Sequence, residues 1–372
     1  MLLVGIGRLK KKRSEENLWI DNAPHPLIQV LIPITGVTDR SKELLHTLLV
    51  QDYPNYRVTF ILEHEFDPAF DLVKEFCSSF GHVDFVLSGT ASQSGQKNFA
   101  LVQAISTLGP EVEIVVFCDS TNAAKPFWLR KITYPLRSGQ FEVCSTFRSF
   151  SPDTINIPGV CQAIYASTVF ALLTLIPKPW GGGTAILKKT FDRLQVAKVW
   201  ASTVVDDLTL GNILSDAKVK IFISCENFLL SPMKKQTFRG LLAFLDRQIL
   251  FPKFTNPGIW AFTVLWHVCL CLSMIVSTLG LLSYFSGFGT SEYALMGGTF
   301  WIAVLTLVGF VRTVNQSGIH VMKWLEGFPI LILVATFVCV RSVCLGHIDW
   351  HGKRYYCGKN GLVTKIKGLN KH

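Results

Sequence analysis

The spacing of hydrophobic and polar residues changes along the chain, and the change falls close to residue 230. Up to about residue 225, short apolar runs alternate with longer stretches in which apolar residues recur at helical spacing. Beyond residue 257 the apolar runs lengthen and carry almost no charge. The first pattern predicts an α/β domain with an open, doubly wound sheet, and the second predicts helices that cross a membrane.

The short apolar runs predict the strands of the sheet. The run 114–118, Ile-Val-Val-Phe-Cys, is apolar throughout, which is typical of a parallel strand buried on both faces. The predicted strands are 27–32, 58–62, 83–87, 114–118, 143–147, 184–187 and 219–223. The predicted helices are 41–51, 68–80, 97–108, 126–137 and 207–215. A sheet of this kind binds its ligands beyond the carboxyl ends of its strands.

Three apolar segments in the second half are long enough to be membrane spans, since about 20 residues suffice to cross a bilayer. They are 260–284, 293–311 and 328–346. Arg341 lies near one end of the third segment, from where its charge can extend to the lipid headgroups. Three crossings would place the basic C-terminal tail opposite the α/β domain, against the preference of positive segments for the cytoplasmic side. A re-entrant segment, a dip of 164–176 into the bilayer, and an exception to that preference are the alternatives.

The stretch 231–253 predicts an amphipathic helix between the two halves. Its apolar residues follow helical spacing, and they are Phe238, Leu241, Leu242, Leu245 and Ile249. Its positive charges are Lys234, Lys235, Arg239 and Arg247. These two faces are typical of a helix that lies on a membrane surface. The alternative is a helix packed into the core of the α/β domain.

The charge distribution also favours a membrane. Only 17% of the residues are charged, against roughly 25% in soluble domains, yet the formal net charge is +10. Two basic runs contribute much of it: Arg8, Lys10, Lys11, Lys12 and Arg13, and Lys353, Arg354, Lys359, Lys365, Lys367 and Lys371. Basic segments that flank apolar ones favour anionic phospholipid. A nucleic-acid partner is disfavoured, because aromatic and basic residues are not interleaved and zinc-ligand spacing is missing.

The cysteines and the N-terminus indicate a cytosolic environment for the first half. The ten cysteines include no Cys-x-x-Cys pair, so we expect reduced structural thiols. The apolar stretch 1–6 is too short for a cleaved signal, and it precedes the basic run instead of following it. We therefore expect neither a signal peptide nor an N-terminal transmembrane helix.

Three aspartates stand where strands end or helices begin. Asp119 closes the predicted strand 114–118, Asp67 follows the strand 58–62, and Asp207 begins a helix. Because ligands bind at the carboxyl ends of such strands, we expect the three carboxylates to face one cleft and form a metal–nucleotide site. The alternative is that Asp67 and Asp207 are ordinary helix caps and that Asp119 is a turn residue.

Several short blocks follow one another in a recognisable order. They are Ile32-Pro33, Asp52-Tyr53-Pro54, Asp67-Pro68-Ala69, Gly95-Gln96-Lys97-Asn98, Cys118-Asp119-Ser120, Trp180-Gly181-Gly182-Gly183-Thr184, Asp206-Asp207 and Trp350-His351-Gly352-Lys353-Arg354-Tyr355. Over residues 27–251, this order resembles the family 2 glycosyltransferases, specifically the ceramide glucosyltransferase-like branch. The last block, behind the apolar segments, resembles the W-R-G-R-x-Y tail of the same branch.

The resemblance implies a GT-A catalytic domain that binds a nucleotide sugar through a divalent cation, Mn²⁺ or Mg²⁺. It implies that Asp67 contacts the uridine, that Lys97 lies near the nucleotide or its phosphates, and that Asp119 holds the metal and the diphosphate. Asp207 is implied as the general base that deprotonates the acceptor hydroxyl. Gly182, in the triple-glycine run, would let the backbone approach the sugar, although such a run is also typical of a flexible turn.

Two departures from the family pattern affect the site. Asp119-Ser120-Thr121 has one carboxylate where the family usually has a D-x-D or D-S-G-like turn. The family motif Q/R-x-x-R-W corresponds here to residues 236–240, Gln-Thr-Phe-Arg-Gly, which keep the glutamine and arginine but lack the tryptophan. Arg239 is the candidate for gripping the diphosphate. Its alternative is a solvated or lipid-facing charge on the amphipathic helix.

The sequence thus predicts a membrane-bound inverting glycosyltransferase that moves a hexose, most simply glucose, from a UDP-sugar to a lipid hydroxyl such as that of ceramide. Two alternatives remain: transfer to a polyprenyl phosphate, and an inactive membrane scaffold. The predicted divisions are a basic segment 1–25, a catalytic domain 26–230, an interfacial helix and linker 231–257, transmembrane helices 258–347 and a basic tail 348–372. We expect a multi-pass protein of the Golgi or plasma membrane whose catalytic domain faces the cytosol and acts in sphingolipid metabolism.

Overall fold

The computed structural model describes residues 13, 14, 16, 22–314 and 318–369. The chain divides into two units. The sheet unit contains the described residues of Leu9–Ser149, Leu172–Pro232 and Asp349–His372, and the helical unit contains Phe150–Ala171 and Met233–Ile348. Several residues of the predicted basic runs lie outside the described part of the chain: Arg8, Lys10, Lys11, Lys12 and Lys371.

A seven-stranded sheet is the centre of the sheet unit. Its strands are β1 (Leu27–Pro33), β2 (Tyr56–Leu62), β3 (Val83–Leu87), β4 (Val112–Cys118), β5 (Val143–Ser145), β7 (Gly183–Leu187) and β8 (Ile221–Ile223). The spatial order is β3-β2-β1-β4-β7-β5-β8. The strands β3, β2, β1 and β4 run parallel to one another, whereas β7 runs antiparallel to both β4 and β5. All seven strands predicted from the sequence are confirmed.

Both faces of the central strands are buried, which is why their sequences are apolar throughout. Val30 pairs with Val58 of β2 and with Val116 of β4, and each of these side chains is at most 1% exposed. Burial of a valine side chain contributes roughly 1.5–3 kcal/mol, so this row stabilises the pairing of three strands at once. The mixed sheet with its helices, followed by apolar helices, confirms the predicted fold class.

The helices of the sheet unit follow the predicted positions. They are α1 (Ser41–Leu49), α2 (Phe70–Ser79), α3 (Gln96–Ser106), α4 (Trp128–Arg137), α6 (Lys188–Arg193), α7 (Val196–Trp200) and α8 (Asp206–Asp216). The five predicted helices correspond to α1–α4 and α8, and the two short helices α6 and α7 were missed. An aromatic cluster of Phe117, Phe191 and Trp200 packs these two against β4, with ring centroids 5.2–6.2 Å apart.

The C-terminal tail belongs to the sheet unit although three long helices precede it in sequence. Its strands β11 (Lys353–Cys357) and β12 (Val363–Gly368) form an antiparallel hairpin across a 3₁₀ turn, Lys359–Gly361. A strand β10 (His347–Trp350) precedes them. His351 and Gly352 have φ of 47° and 73°, which allows the tight reversal between β10 and β11. Two further strands, β6 (Arg148–Pro152) and β9 (Leu229–Met233), carry the chain from one unit to the other.

The helical unit contains α5 (Ile157–Leu175) up to Ala171, together with α9 (Phe238–Thr255), α10 (Pro257–Phe285), α11 (Ser291–Val314) and α12 (Val321–Cys344). Among the described residues, four helices are long and apolar enough to cross a membrane: α5, α10, α11 and α12. The three predicted apolar segments are confirmed as long helices. The fourth, α5, was foreseen only as a dip of 164–176. In its most apolar 18-residue stretch, 61% is buried, against 11% in that of α10. This burial is typical of a helix enclosed by its neighbours.

Two details of the helical unit concern the predicted interfacial helix and Arg341. Leu241, Leu245 and Ile249 of α9 are at most 2% exposed, whereas Phe238 is 51% exposed, so protein covers only part of its apolar face. Arg341 forms an ion pair with Asp246 of α9, and both side chains are partly exposed.

Candidate active site

The carboxylate of Asp119 lies at the carboxyl end of β4, where the sequence predicts it. The antiparallel register places Gly183 opposite Cys118, so the chain that enters β7 turns directly beside Asp119. The backbone N–H of Asp119 donates to the carbonyl of Gly182 at 3.3 Å. One corner of the site is therefore built from the end of β4 and the loop 180–183.

Lys97, the second residue of α3, joins two acidic groups. Its Nζ lies 2.8 Å from Asp119 Oδ1 and 2.9 Å from Asp206 Oδ2, and it donates to the carbonyl of Gly181 at 3.2 Å. Burial alone would lower the pKa of Lys97, but the two carboxylates outweigh it and raise that pKa. The ammonium group is therefore charged throughout the working pH range.

Asp207 lies in the first turn of α8, beside the same glycine. Its Oδ2 accepts from the N–H of Gly181 at 3.2 Å, and its Oδ1 accepts from the N–H of Leu208 at 2.7 Å. Burial, and then the negative charge of Asp206, raise the pKa of Asp207 to about 6. A carboxylate with this pKa is ionised at neutral pH and is a stronger proton acceptor than an ordinary aspartate.

The triple-glycine run is shaped by the side chains that press against it. A Cβ on Gly181 would lie 2.1 Å from Asp206 Oδ2. A Cβ on Gly182 would lie 2.6 Å from Asp119 Oδ2 and 2.2 Å from the ring of Trp180. Real Cβ atoms do not approach so closely, so a side chain here would displace Asp206, Asp119 or Trp180, and the interpretation of a merely flexible turn is disfavoured.

Arg148 is a site residue that the sequence analysis did not identify. Its guanidinium carbon lies 4.8 Å from the centre of the Trp180 ring, a cation–π contact. Burial lowers the pKa of Arg148, and the charges of Asp119 and Asp207 oppose that shift. The guanidinium is thus near enough to both acids to interact with them. The available signal was a charged residue directly after the predicted strand 143–147.

The pKa of Asp119 is shifted in the direction opposite to that of Asp207. Burial would raise the pKa of Asp119, but the charges of Lys97 and Arg148, the hydrogen bond from Lys97 and the charge of His351 outweigh burial and lower it. Asp119 is therefore an anion at neutral pH. His351, which belongs to the C-terminal tail, was assigned no role from the sequence.

Asp67 is held by backbone groups. Its Oδ1 accepts from the N–H of Gly36 at 2.8 Å and from that of Ala69 at 2.9 Å. These bonds fix the loop after β1 to the turn that begins α2. No described contact of Asp67 reaches Asp119 or Asp207, so the structure links the second and third predicted aspartates through Lys97 and Gly181 but leaves the first as a neighbour at the same sheet edge. Its contact with uridine remains a prediction.

Arg239 lies in the helical unit, as the second residue of α9, with its side chain exposed. At position 240, where the family motif has tryptophan, the glycine lies against the side chain of Gln236. A Cβ on Gly240 would lie 2.2 Å from Oε1 of Gln236, whose amide also bonds Gln162. The glutamine side chain therefore occupies the space that a tryptophan would enter. A grip of Arg239 on a diphosphate remains a prediction.

The donor set at Asp119 fits a cation that arrives with a substrate. Among the described residues, no group of three or more His, Cys, Asp or Glu side chains is arranged to hold a metal ion. Oδ1 of Asp119 is bonded to Lys97, which leaves Oδ2 as the available oxygen. Mg²⁺ and Mn²⁺ are commonly held by one or two carboxylates, with phosphate oxygens and water completing the shell. Asp119 alone would supply the protein ligand.

The chain matches one protein family and is similar in fold to solved structures. The model of glycosyl transferase family 21 matches residues 2–363. A mannosyltransferase from Pyrobaculum calidifontis, solved in complex with GDP-Man and Mn²⁺, is 14% identical, with 90% of this chain and 94% of that chain covered and a TM-score of 0.48. A 4-diphosphocytidyl-2C-methyl-D-erythritol synthase from Anaerococcus prevotii is also 14% identical, with 60% and 97% covered and a TM-score of 0.38. No curated protein sequence matches the chain.

The family match spans nearly the whole chain and defines its class. The protein is a glycosyltransferase. It belongs to glycosyl transferase family 21, which confirms the resemblance to the ceramide glucosyltransferase-like branch.

Proposed function

We propose that this protein is a membrane-bound inverting enzyme that transfers a hexose, glucose in the simplest case, from a UDP-sugar to a lipid hydroxyl such as that of ceramide. The proposal depends on one observation: the pKa values of two carboxylates in the same site are shifted in opposite directions. Asp119 is held as an anion between cations, while Asp207 has a pKa raised to about 6 by burial and by Asp206. A hydroxyl acceptor requires such a base, and a phosphate acceptor does not.

The proposed reaction is a single displacement. The acceptor oxygen forms a bond to the anomeric carbon as the bond from that carbon to the UDP oxygen breaks. Asp207 accepts the hydroxyl proton and later releases it to solvent. The leaving diphosphate gains negative charge, which Lys97 and Arg148 are placed to neutralise. A divalent cation, when bound, would add Lewis-acid stabilisation of that diphosphate, with Asp119 as its protein ligand.

Donor recognition is assigned to the residues around this centre. Asp67 would contact the uridine from the loop that it ties together. Gly182 would let the sugar approach the backbone, because no side chain fills that space. Arg239, at the exposed start of α9, would bind the diphosphate.

The same proposal includes a cytosolic catalytic domain, with the Golgi and plasma membranes as candidate locations. The C-terminal tail bonds to residues 202–204 of the sheet unit, which supports a topology in which the chain returns to the side from which it left. A return requires an even number of crossings between residues 233 and 348. One of α10, α11 and α12 is therefore proposed to enter the bilayer without crossing it, which resolves the conflict with the positive-inside preference.

The test is Asp207→Asn in the purified full-length protein, assayed with a panel of UDP-sugars and ceramide. We expect a loss of about 10²–10⁴-fold in kcat, which is the range that general bases contribute. Asp216→Asn, an exposed aspartate at the other end of α8, is the matched control and should keep full activity.

The outcomes separate the alternatives. If Asp207→Asn keeps appreciable transfer to a polyprenyl phosphate, the acceptor is already ionised and the lipid-hydroxyl assignment is wrong. Calorimetry with UDP and Mn²⁺ or Mg²⁺ adds a second arm. Because Asp119 is the sole proposed protein ligand, the metal alone should bind weakly, and UDP should strengthen its binding. A wild-type protein that binds neither UDP nor metal would favour the inactive scaffold.

A further inference from the structure

The C-terminal tail contacts the first of two segments that carry active-site residues. Tyr355 is 1% exposed, and its hydroxyl accepts from the N–H of Gln96 at 3.3 Å. Nζ of Lys353 donates to Oε1 of Gln96 at 2.7 Å and to Oε1 of Glu63 at 2.8 Å. Gln96 is the first residue of α3 and directly precedes Lys97. The tail therefore fixes the backbone and the side chain next to the lysine that bridges the two acids.

The tail contacts a second segment just before the acidic pair of α8. The N–H of Val204 donates to the carbonyl of Gly361 at 3.1 Å, and the N–H of Val363 donates to the carbonyl of Ser202 at 2.9 Å. Thr203 also forms an isolated bridge with Leu362. These bonds fix the chain two residues ahead of Asp206 and three ahead of the proposed base.

The two segments also contact each other. The N–H of Gly95 and the side-chain amide of Asn98 both donate to the carbonyl of Thr203, each at 2.9 Å. A Cβ on Gly95 would lie 2.2 Å from the carbonyl oxygen of Val204, so the approach is as close as glycine permits. The ion pair between Lys97 and Asp206 spans the same junction.

We propose that the tail, residues 349–369, is a positioning element of the active site, fastening the start of α3 to the segment before α8 so that Lys97 meets Asp206 and Asp207 is aimed. The tail and the Lys97–Asp206 ion pair hold the same two segments together. The tail bonds to Gln96 and to residues 202–204, and the ion pair joins α3 directly to α8. The charge of His351 on the same tail reaches Asp119. The catalytic part of this inference rests on the proposed function, whereas its structural part does not.

The positioning role predicts a specific pattern of local opening. Tyr355→Phe removes one hydroxyl and keeps the ring, and Lys353→Met removes the charge and keeps the stem. In hydrogen–deuterium exchange on the full-length protein, we expect amides of 95–98 and 202–206 to exchange at least about fivefold faster in both variants. Peptides from β1 and β4 should be unchanged. Lys365→Met, an exposed lysine on β12 of the same hairpin, is the matched control.

The same variants should lose transfer without losing the fold. We expect kcat to fall about 10- to 100-fold in Lys353→Met, since misplacement of catalytic groups by about 1 Å costs this much. Lys353→Arg should recover most of the activity, because it restores a cation in the same place. The melting temperature of each variant is measured alongside.

Two results would overturn the inference. Exchange that is unchanged at both segments, or that rises equally in every peptide, would mean that the tail does not position them locally. Unchanged kcat in both variants of a wild-type-active protein would do the same. Failure of the proposed function looks different: the wild-type protein itself would transfer no sugar, while the local exchange pattern would still appear.

Discussion

The two ends of the active site place their carboxylates in opposite electrostatic surroundings. Asp119 lies between Lys97 and Arg148, and its pKa falls below the ordinary value despite burial. Asp207 lies beside Asp206, and burial together with that like charge raises its pKa to about 6. Both belong to one unit and one sheet edge, so the difference comes from their immediate neighbours.

The difference indicates how one site can divide two tasks. When the surroundings of two titratable groups push their pKa values apart, the group with the low value suits permanent charge and the group with the raised value suits proton transfer. Asp119 accordingly suits a cation or its phosphates, and Asp207 suits the acceptor proton. Lys97 touches the first acid and the neighbour of the second, and it lowers the pKa of both, so it is the residue that couples the two acids.

Lys97→Met should have the largest effect because it removes the shared cation. We expect transfer to fall about 10³-fold, in line with the loss of one electrostatic stabiliser of a developing charge. Lys97 lowers the pKa of both Asp119 and Asp207, so both values should rise. The residual activity should therefore show an acid limb at higher pH than in the wild-type protein, measured as kcat/KM against pH.

The controls separate charge from folding. Removing one partner of a buried ion pair costs roughly 3–5 kcal/mol, so the melting temperature of Lys97→Met must be recorded. Lys97→Arg keeps the charge and should retain more activity. Lys42→Met breaks an exposed pair with Glu75 and should change neither transfer nor stability appreciably. An acid limb that stays in place in Lys97→Met would contradict the coupling of the two acids through this lysine.

Gly182→Ala should have the next largest effect. The added methyl would meet Oδ2 of Asp119 at 2.6 Å and the Trp180 ring at 2.2 Å, so one of them must move. We expect kcat to fall about 10²-fold, because displaced catalytic groups lose their alignment. The added methyl does not touch Asp207, the proposed base. The fall of kcat/KM at low pH should therefore begin at the same pH as in the wild-type protein.

Gly81→Ala is the matched control for the added methyl. A Cβ at Gly81 has no heavy atom within 4 Å, and its φ is not in the left-handed region, so the substitution is sterically free. It should preserve kcat. Full activity in Gly182→Ala would instead mean that the loop yields without disturbing Asp119.

The sequence predicted the sheet and the acidic positions because both are local signals. Apolar runs of strand length mark β1 and β4 by themselves, and Asp119 and Asp207 stand at their ends or at helix starts. Arg148 and the tail contacts escaped prediction, because they depend on long-range closure. Tyr355 reaches Gln96 across 259 residues, and no spacing rule carries information over such a distance. The ion pair of Arg341 was missed for the same reason, since its partner lies 95 residues away.

The smallest expected effect comes from a change of pH, which protonates Asp207 in the wild-type protein without any substitution. In the proposed reaction Asp207 must be ionised to accept a proton, and burial with Asp206 raises its pKa to about 6. As pH falls through about 6 the base becomes protonated, so kcat/KM should drop about tenfold per pH unit below that value and level off above it. Asp119 and Lys97 do not titrate in this range, because the pKa of the first is lowered and that of the second is raised.

A profile that stays flat from pH 7 to pH 5 would mean that proton transfer to Asp207 does not limit the reaction, and the assignment of opposite tasks to the two carboxylates would fail. The profile of Asp216→Asn should follow that of the wild-type protein, because this exposed residue is at the far end of α8.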